Sequence, residues 1–140
     1  MPTRKTISNV LLSQLYETTK ERVKIQVQSA DSVCITTDSW TSRGIESYLS
    51  VTAHYLDNNF ELQSSLLGCF VFNEKHSAEN LAEELKKIAR EWKIENKIVA
   101  VVTDNARNIV AAVRITGWKH IPCFAHTLNL IVQYGLDSVK

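Results

Sequence analysis

"IVAVVTDNARN", Ile98 to Asn108, decides how this chain folds. Five apolar residues, rich in Val and Ile, run without interruption and stop at Thr103-Asp104. A continuous run of this kind reads as a strand covered on both faces. An earlier stretch, "SVCITTDSWTS" (Ser32 to Ser42), repeats the pattern and stops at Thr37-Asp38. Two buried strands that each end in Thr-Asp are the main signal in the chain.

The rest of the sequence supplies the frame around them. Ile7 to about Gln28 reads as a helix, with Ile7, Val10, Leu11 and Leu15 at helical spacing and no Pro or Gly. Val33 to Thr37 is a short strand, followed by a loop from Ser39 to Glu46. Ser47 to Leu56 alternates, with Leu49, Val51, Ala53 and Tyr55 on one face and Tyr48, Ser50, Thr52 and His54 on the other. Asp57-Asn58-Asn59 are turn residues that tolerate left-handed backbone, and Phe60 to Val71 returns as the second strand of a hairpin. Ser77 is placed as the N-cap of a helix reaching about Trp92, with Leu81, Leu85, Ile88 and Ala89 on its apolar stripe. Another helix is expected from Asn105 to about Ile115. "HIPCF" reads as a short edge strand, because Pro122 cannot sit centrally. Thr127 to Leu136 closes the chain as a helix.

A right-handed crossover through the helix at 77–92 lays Ile98–Val102 beside Val33–Thr37 and parallel to it. The result is an α/β architecture: a mixed sheet of three antiparallel strands plus parallel strands, flanked by helices. This is the core of a ribonuclease H-like fold. The expected organisation is an N-terminal helical segment, 1–30, and a ribonuclease H-like domain, 31–140.

Parallel neighbours end at the same sheet edge, so Asp38 and Asp104 are expected side by side. Ligands bind beyond the carboxyl ends of strands in open α/β sheets. Two carboxylates there repel each other, and a hard divalent cation such as Mg²⁺ or Mn²⁺ relieves the repulsion. Two such ions about 3.5–4 Å apart suit phosphoryl transfer. An aspartate after a strand also serves as a cap: Asp104 could cap a helix starting at Asn105, and Asp38 a turn at Ser39-Trp40.

Composition narrows the class without choosing the function. The 140 residues suit one compact domain, and 44% hydrophobic with 22% charged residues is ordinary for a globular chain. A net charge of +1 gives no global field for nucleic acid or membrane, although both ends are mildly basic. The three cysteines, Cys34, Cys69 and Cys123, are odd in number and point to a reduced intracellular setting. No apolar run reaches membrane-spanning length, and the start has no hydrophobic signal region.

"TTDSWTS" (Thr36–Ser42), "VTDNARN" (around Thr103-Asp104-Asn105) and "CFAHTLNLIVQ" (Cys123–Gln133) occur in this order in the hAT superfamily of DNA transposases and its domesticated BED-type zinc-finger relatives, which the chain resembles along nearly its whole length. The resemblance implies a DDE triad, with Asp38 and Asp104 as catalytic and metal-binding acids for Mg²⁺ or Mn²⁺. The family's third acid, a glutamate, follows a large downstream insertion. Here Asp137 is the sole acid after Asp104 and does not match it. The resemblance therefore implies a truncated domain, inactive by itself and nuclear, with DNA as partner and self-association through regions outside this chain. Cys123 and His126 match the family's Cys-x-x-His motif, expected to support the site or touch DNA, with no structural zinc. Pro122 stands where the family often has arginine, so a phosphate contact at that position is not carried over to this chain. Trp40 is expected to anchor its loop in the core, with DNA stacking as the other use. Arg107 and Asn108, one turn into a helix near Asp104, could reach a phosphate, with solvated surface the default for Arg107. His54 reads as a satisfied histidine on the polar face.

Two further readings stay open. One is a non-catalytic DNA-binding or protein-interaction module of a BED-type transcription regulator. The other is a ribonuclease H-type nuclease that takes an acid from Glu79, Glu83 or Glu84. An apolar patch at Leu128, Ile131, Val132 and Leu136 is expected, since a transposase core normally packs this helix against later elements.

Overall fold

The structure, a computed structural model, describes every residue except Pro2, Ile45 and Lys140. The chain opens with three contiguous helical pieces: α1 (Arg4–Thr6), a π segment (Ile7–Leu11) and α2 (Leu12–Ser29). Strands β1 (Val33–Thr41), β2 (Ser47–Leu56) and β3 (Leu62–Val71) follow, then α3 (Ala78–Glu91), β4 (Ile98–Thr103), α4 (Arg107–Thr116), β5 (His120–Pro122) and α5 (Phe124–Asp137). The strands form one mixed sheet in the order β3-β2-β1-β4-β5. β1, β2 and β3 are antiparallel neighbours, whereas β1/β4 and β4/β5 are parallel. This is the ribonuclease H-like arrangement expected from the two apolar runs.

The β2 alternation sorts its residues by face. Leu49, Val51, Ala53 and Tyr55 are buried, while Ser50, Thr52 and His54 are half-buried. The buried set joins Val33 and Ile35 of β1 and Val101 of β4 in one core with Leu81, Leu85 and Ile88 of α3 and Ile109 and Val113 of α4. Fully burying side chains of this size is worth roughly 1.5–3 kcal/mol each. Trp92 closes the same core at 3% exposure, and Trp118 packs against it half-buried. Ser77 caps α3, its hydroxyl accepting from the Asn80 N–H at 3.2 Å.

Helix α2 attaches through its C-terminal turn. Val27 is fully buried, the Gln28 amide donates to the Trp92 carbonyl, and Lys97 donates to the carbonyls of Gln28 (2.6 Å) and Ala30 (2.8 Å). The apolar residues at helical spacing, Ile7, Val10, Leu11 and Leu15, are exposed. Spacing predicts a stripe but not what covers it. The expected patch at Leu128, Ile131, Val132 and Leu136 is present, each of the four being exposed.

Several boundaries shift for local reasons. β1 runs on to Thr41 because it stays paired with β2 as far as Thr41↔Ser47, so the loop expected from Ser39 shrinks to a turn after Thr41. Ile45, within that expected loop, lies outside the described residues. In the β2–β3 turn the left-handed residue is Phe60 (φ 61), not one of the asparagines. Asp57 organises this turn by accepting from the backbone N–H groups of Glu61 and Asn59 and from the Gln63 amide, which holds its carboxyl below the usual range.

Candidate functional site

The parallel register between β1 and β4 ends at Thr36↔Val102. Asp38 and Asp104 each lie two residues beyond that pair. Both line a cleft of about 390 Å³ at this end of the sheet, and Cys123 and His126 line it with them. Of the seven residues singled out from sequence, these four are brought together. Trp40, Arg107 and Asn108 are not among the lining residues.

The two aspartates are held differently. Asp38 lies inside β1, opposite Ser50 of β2, and the Ser50 hydroxyl donates to its carbonyl at 3.4 Å. Its side chain is exposed. Asp38 is therefore not a cap for a turn at Ser39-Trp40, since that segment is still strand. Asp104 follows the last residue of β4 and is half-buried. The next residue, Asn105, takes φ 70, a left-handed conformation that asparagine tolerates better than most residues. The Asp104 carboxylate accepts from the Ala106 N–H at 3.2 Å, closing a turn across that bend. Helix α4 starts only at Arg107 and has no side-chain cap, so the expected start at Asn105 and the capping role for Asp104 are both corrected.

A layer of hydroxyls supports the carboxylates. Thr37 and Thr103, the residues just before them, are buried at 6% and 1% exposure. Thr37 donates to the Ser50 carbonyl at 2.9 Å, and the Thr103 hydroxyl meets His120 Nε2 at 2.9 Å. On the cleft side, Thr36 bonds His54 Nε2 at 3.0 Å, while His54 Nδ1 meets the Ser64 hydroxyl at 2.8 Å. His54 is thus satisfied, as its position on the polar face suggested. The Cys123 N–H donates to the Thr103 carbonyl at 2.8 Å and ties the start of α5 to the end of β4. Sequence reasoning passed over these threonines and His120. The repeated Thr-Asp step was their one visible signal.

The remaining candidates occupy other settings. Trp40 does not anchor in the core: it is 43% exposed and stacks on Tyr48 across the β1–β2 pair, ring centroids 5.6 Å apart and planes 12° from parallel. Arg107 is the exposed first residue of α4. The Asn108 amide donates to the His76 carbonyl at 3.2 Å, while its oxygen accepts from the Ile109 N–H, so both of its polar ends are engaged in the protein. Cys123 is half-buried. Cys34 is also half-buried, and burial pushes its thiol up, whereas Cys69 is exposed. Glu83 and Glu84 pair with Arg90 and Lys87, and neither they nor Glu79 lines the cleft.

The donor chemistry at the cleft fits a hard divalent cation. Asp38 and Asp104 offer carboxylate oxygens, and Mg²⁺ is commonly held by one or two carboxylates together with waters and substrate phosphates. Among the described residues no three His, Cys, Asp or Glu side chains gather closely enough to hold a metal ion by themselves. The protein's own share of such a site is two carboxylates.

Residues 36–117 match the ZBED1 RNase-like domain. A putative AC transposase of Zea mays is 30% identical over 144 residues, which cover 91% of this chain and 18% of that protein. The human zinc finger BED domain-containing protein 6 is 27% identical over 135 residues, covering 86% of this chain and 14% of the relative. Among solved structures, the Mos1 transposase catalytic domain with Raltegravir and Mn aligns with TM-score 0.38 and 16% identity, covering 74% of this chain and 58% of that one. The chain spans less than a fifth of the length of these two curated relatives. No helix among the described residues is long and apolar enough to cross a membrane. The chain belongs to the ZBED1 RNase-like domain family, and its relatives are hAT-type transposases and BED zinc-finger proteins.

Proposed function

We propose that this chain is the part of a nuclear, transposase-derived protein that holds DNA at the Asp38–Asp104 cleft with the help of Mg²⁺ or Mn²⁺. One observation carries the reading: the two aspartates each lie two residues past the last parallel β1–β4 pair and open onto a single cleft. Asp38 and Asp104 would hold the cation, which would supply positive charge to a DNA phosphate and polarise its oxygens. The protein's own residues hold these carboxylates in place. Thr37 bonds the Ser50 carbonyl beside Asp38, Thr103 bonds His120 beside Asp104, and the Asn105 bend carries Asp104 at the cleft. Cys123 and His126 border the site from the start of α5. Exposed Trp40 and Arg107 are the DNA-facing candidates beyond the cleft. Asn108, with both polar ends engaged, is a supporting residue. Among the described residues the acids that line the cleft are Asp38 and Asp104, and the chain is read as holding DNA there.

Mn²⁺ titration followed by NMR line broadening tests the site. Broadening centred on the amides of Asp38 and Asp104, and lost in Asp38→Asn and in Asp104→Asn, is the expected result. Broadening spread evenly over exposed acids would sink the shared-site reading.

A further inference from the structure

The sheet does not secure the two acids of the cleft equally. Asp38 is still paired with Ser50 of β2, whereas Asp104 has passed the end of β4 and owes its place to the bend at Asn105. Asparagine adopts a positive φ more readily than most residues, yet such a bend still has to be held against ordinary backbone. Part of the hold comes from Thr103. Its hydroxyl oxygen accepts from the Asn105 N–H at 3.4 Å, while the Asp104 carboxylate accepts from the Ala106 N–H at 3.2 Å.

The Thr103 hydroxyl has a second partner, His120 Nε2, at 2.9 Å. A hydroxyl carries one proton and two lone pairs, and a backbone N–H can only donate. A lone pair of Thr103 therefore faces Asn105, and its one proton is left for His120. Thr103 is 1% exposed, so water does not stand in for a lost partner. Among the described residues no other group bonds that hydroxyl. The histidine is itself held in line: it pairs with Val101 of β4, and two residues on, where Pro122 has no N–H, the Cys123 N–H bonds the Thr103 carbonyl at 2.8 Å. The arrangement beside Asp38 differs. There Thr37 gives its proton to the Ser50 carbonyl, within the β1–β2 pair, and no histidine takes part.

We infer that His120 is a positioning residue for Asp104: its bare Nε2 takes the Thr103 proton, turns a Thr103 lone pair onto the Asn105 N–H, and so holds the left-handed bend that carries the carboxylate. The ring proton then sits on Nδ1. His120 does not line the cleft and acts on it from the outer strand of the sheet, through Thr103 and Asn105. The inference rests on the cation reading of the Asp38–Asp104 cleft, since it concerns how Asp104 is presented to the ion.

The 140-residue chain, isotope-labelled and metal-free, tests the bend first. Nitrogen-15 spectra of the imidazoles should show His120 with Nε2 bare and Nδ1 protonated. The strong amide–Hα cross-relaxation within Asn105 that a positive φ produces should weaken in His120→Leu, which removes the acceptor. It should return in His120→Gln, whose side-chain oxygen accepts at a similar reach. Mn²⁺ titration then reads the consequence. The midpoint of line broadening at Asp104 should rise at least about threefold in His120→Leu, the scale of one lost neutral hydrogen bond, and recover in His120→Gln. Thr103→Val removes the hydroxyl and leaves His120 and β5 in place, so it should give the same response even if His120→Leu disturbs the edge strand; Thr103→Ser should not. A proton on Nε2 overturns the inference, as does an unchanged Asn105 in both His120→Leu and Thr103→Val, or an unmoved Mn²⁺ midpoint where Asn105 has changed. Absence of localised broadening in the parent chain sinks the cation reading instead, and the metal-free comparison at Asn105 still decides whether His120 holds the bend.

Discussion

Replacing Lys97 with methionine should loosen the N-terminal helix from the sheet. The Lys97 ammonium donates to two carbonyls at the end of α2, Gln28 at 2.6 Å and Ala30 at 2.8 Å. These carbonyls belong to the helix terminus that lacks intrahelical donors. Hydrogen bonds to a charged group contribute about 1.5–3 kcal/mol each, and a cation at a helix C-terminus adds roughly 0.3–1 kcal/mol. The two bonds share one ammonium and Lys97 is half-buried, so water replaces part of the loss. A net cost of about 2–3 kcal/mol follows from the lower end of those ranges. Methionine keeps most of the apolar stem, which isolates the polar loss from packing. For a chain of this size, roughly 3 °C per kcal/mol gives a melting temperature lowered by about 6–9 °C. Urea unfolding measures the free energy, and hydrogen exchange at residues 24–30 locates it. Lys97→Arg should recover part of the loss. A Lys97→Met change below about 0.5 kcal/mol, with unaltered exchange in that turn, would refute the reasoning and leave Val27 and Gln28 as the attachment.

Two other outcomes follow from packing and charge. Gly68→Ala places a Cβ at 3.0 and 3.2 Å from the Phe70 ring, so the ring must move; a loss of about 1 kcal/mol is expected in urea unfolding, relieved by adding Phe70→Leu. Its hydrogen bond to Lys20 holds the Glu91 carboxyl below its usual value, so the stability it adds is present above the unfolded-state pKa and disappears as pH falls through the folded one. Lys20 is raised by the same bond and stays charged at neutral pH. Because the Glu91 side chain is 48% exposed, Lys20→Met should cost no more than about 0.5 kcal/mol at pH 7, and its unfolding curve should merge with that of the parent chain in acid.

Local patterns predict those elements whose partners are also local. The β2 alternation marks Ser47–Leu56 at both ends, and Ser77 marks the start of α3, because each signal acts through the nearest turn of chain. The apolar runs bring Asp38 and Asp104 to one edge through the crossover alone. Features set by distant pairing escape this reading. β1 reaches Thr41 because β2 continues beside it, and Trp40 finds Tyr48 only through the hairpin register. The Thr103–His120 bond depends on the parallel pairing of β4 with β5, which no periodicity announces. The start of α4 is delayed to Arg107 because Asn105 takes a left-handed turn, a choice open to asparagine but not dictated by it.

The two aspartates also differ in stiffness. Asp38 is mid-strand to β2, which grips β1 for three more residues, yet past the end of the pairing with β4. Asp104 stands at a bend between β4 and α4, carried by Asn105 and closed by one 3.2 Å hydrogen bond. One carboxylate is therefore mounted on a rail and the other on a hinge. Under the proposed cation reading, a larger ion or a bulkier phosphate would be accommodated at the Asn105 bend, with Asp38 held by its pairing to β2. On that reading, cation selectivity should respond to substitutions at Asn105 more than to any around Asp38.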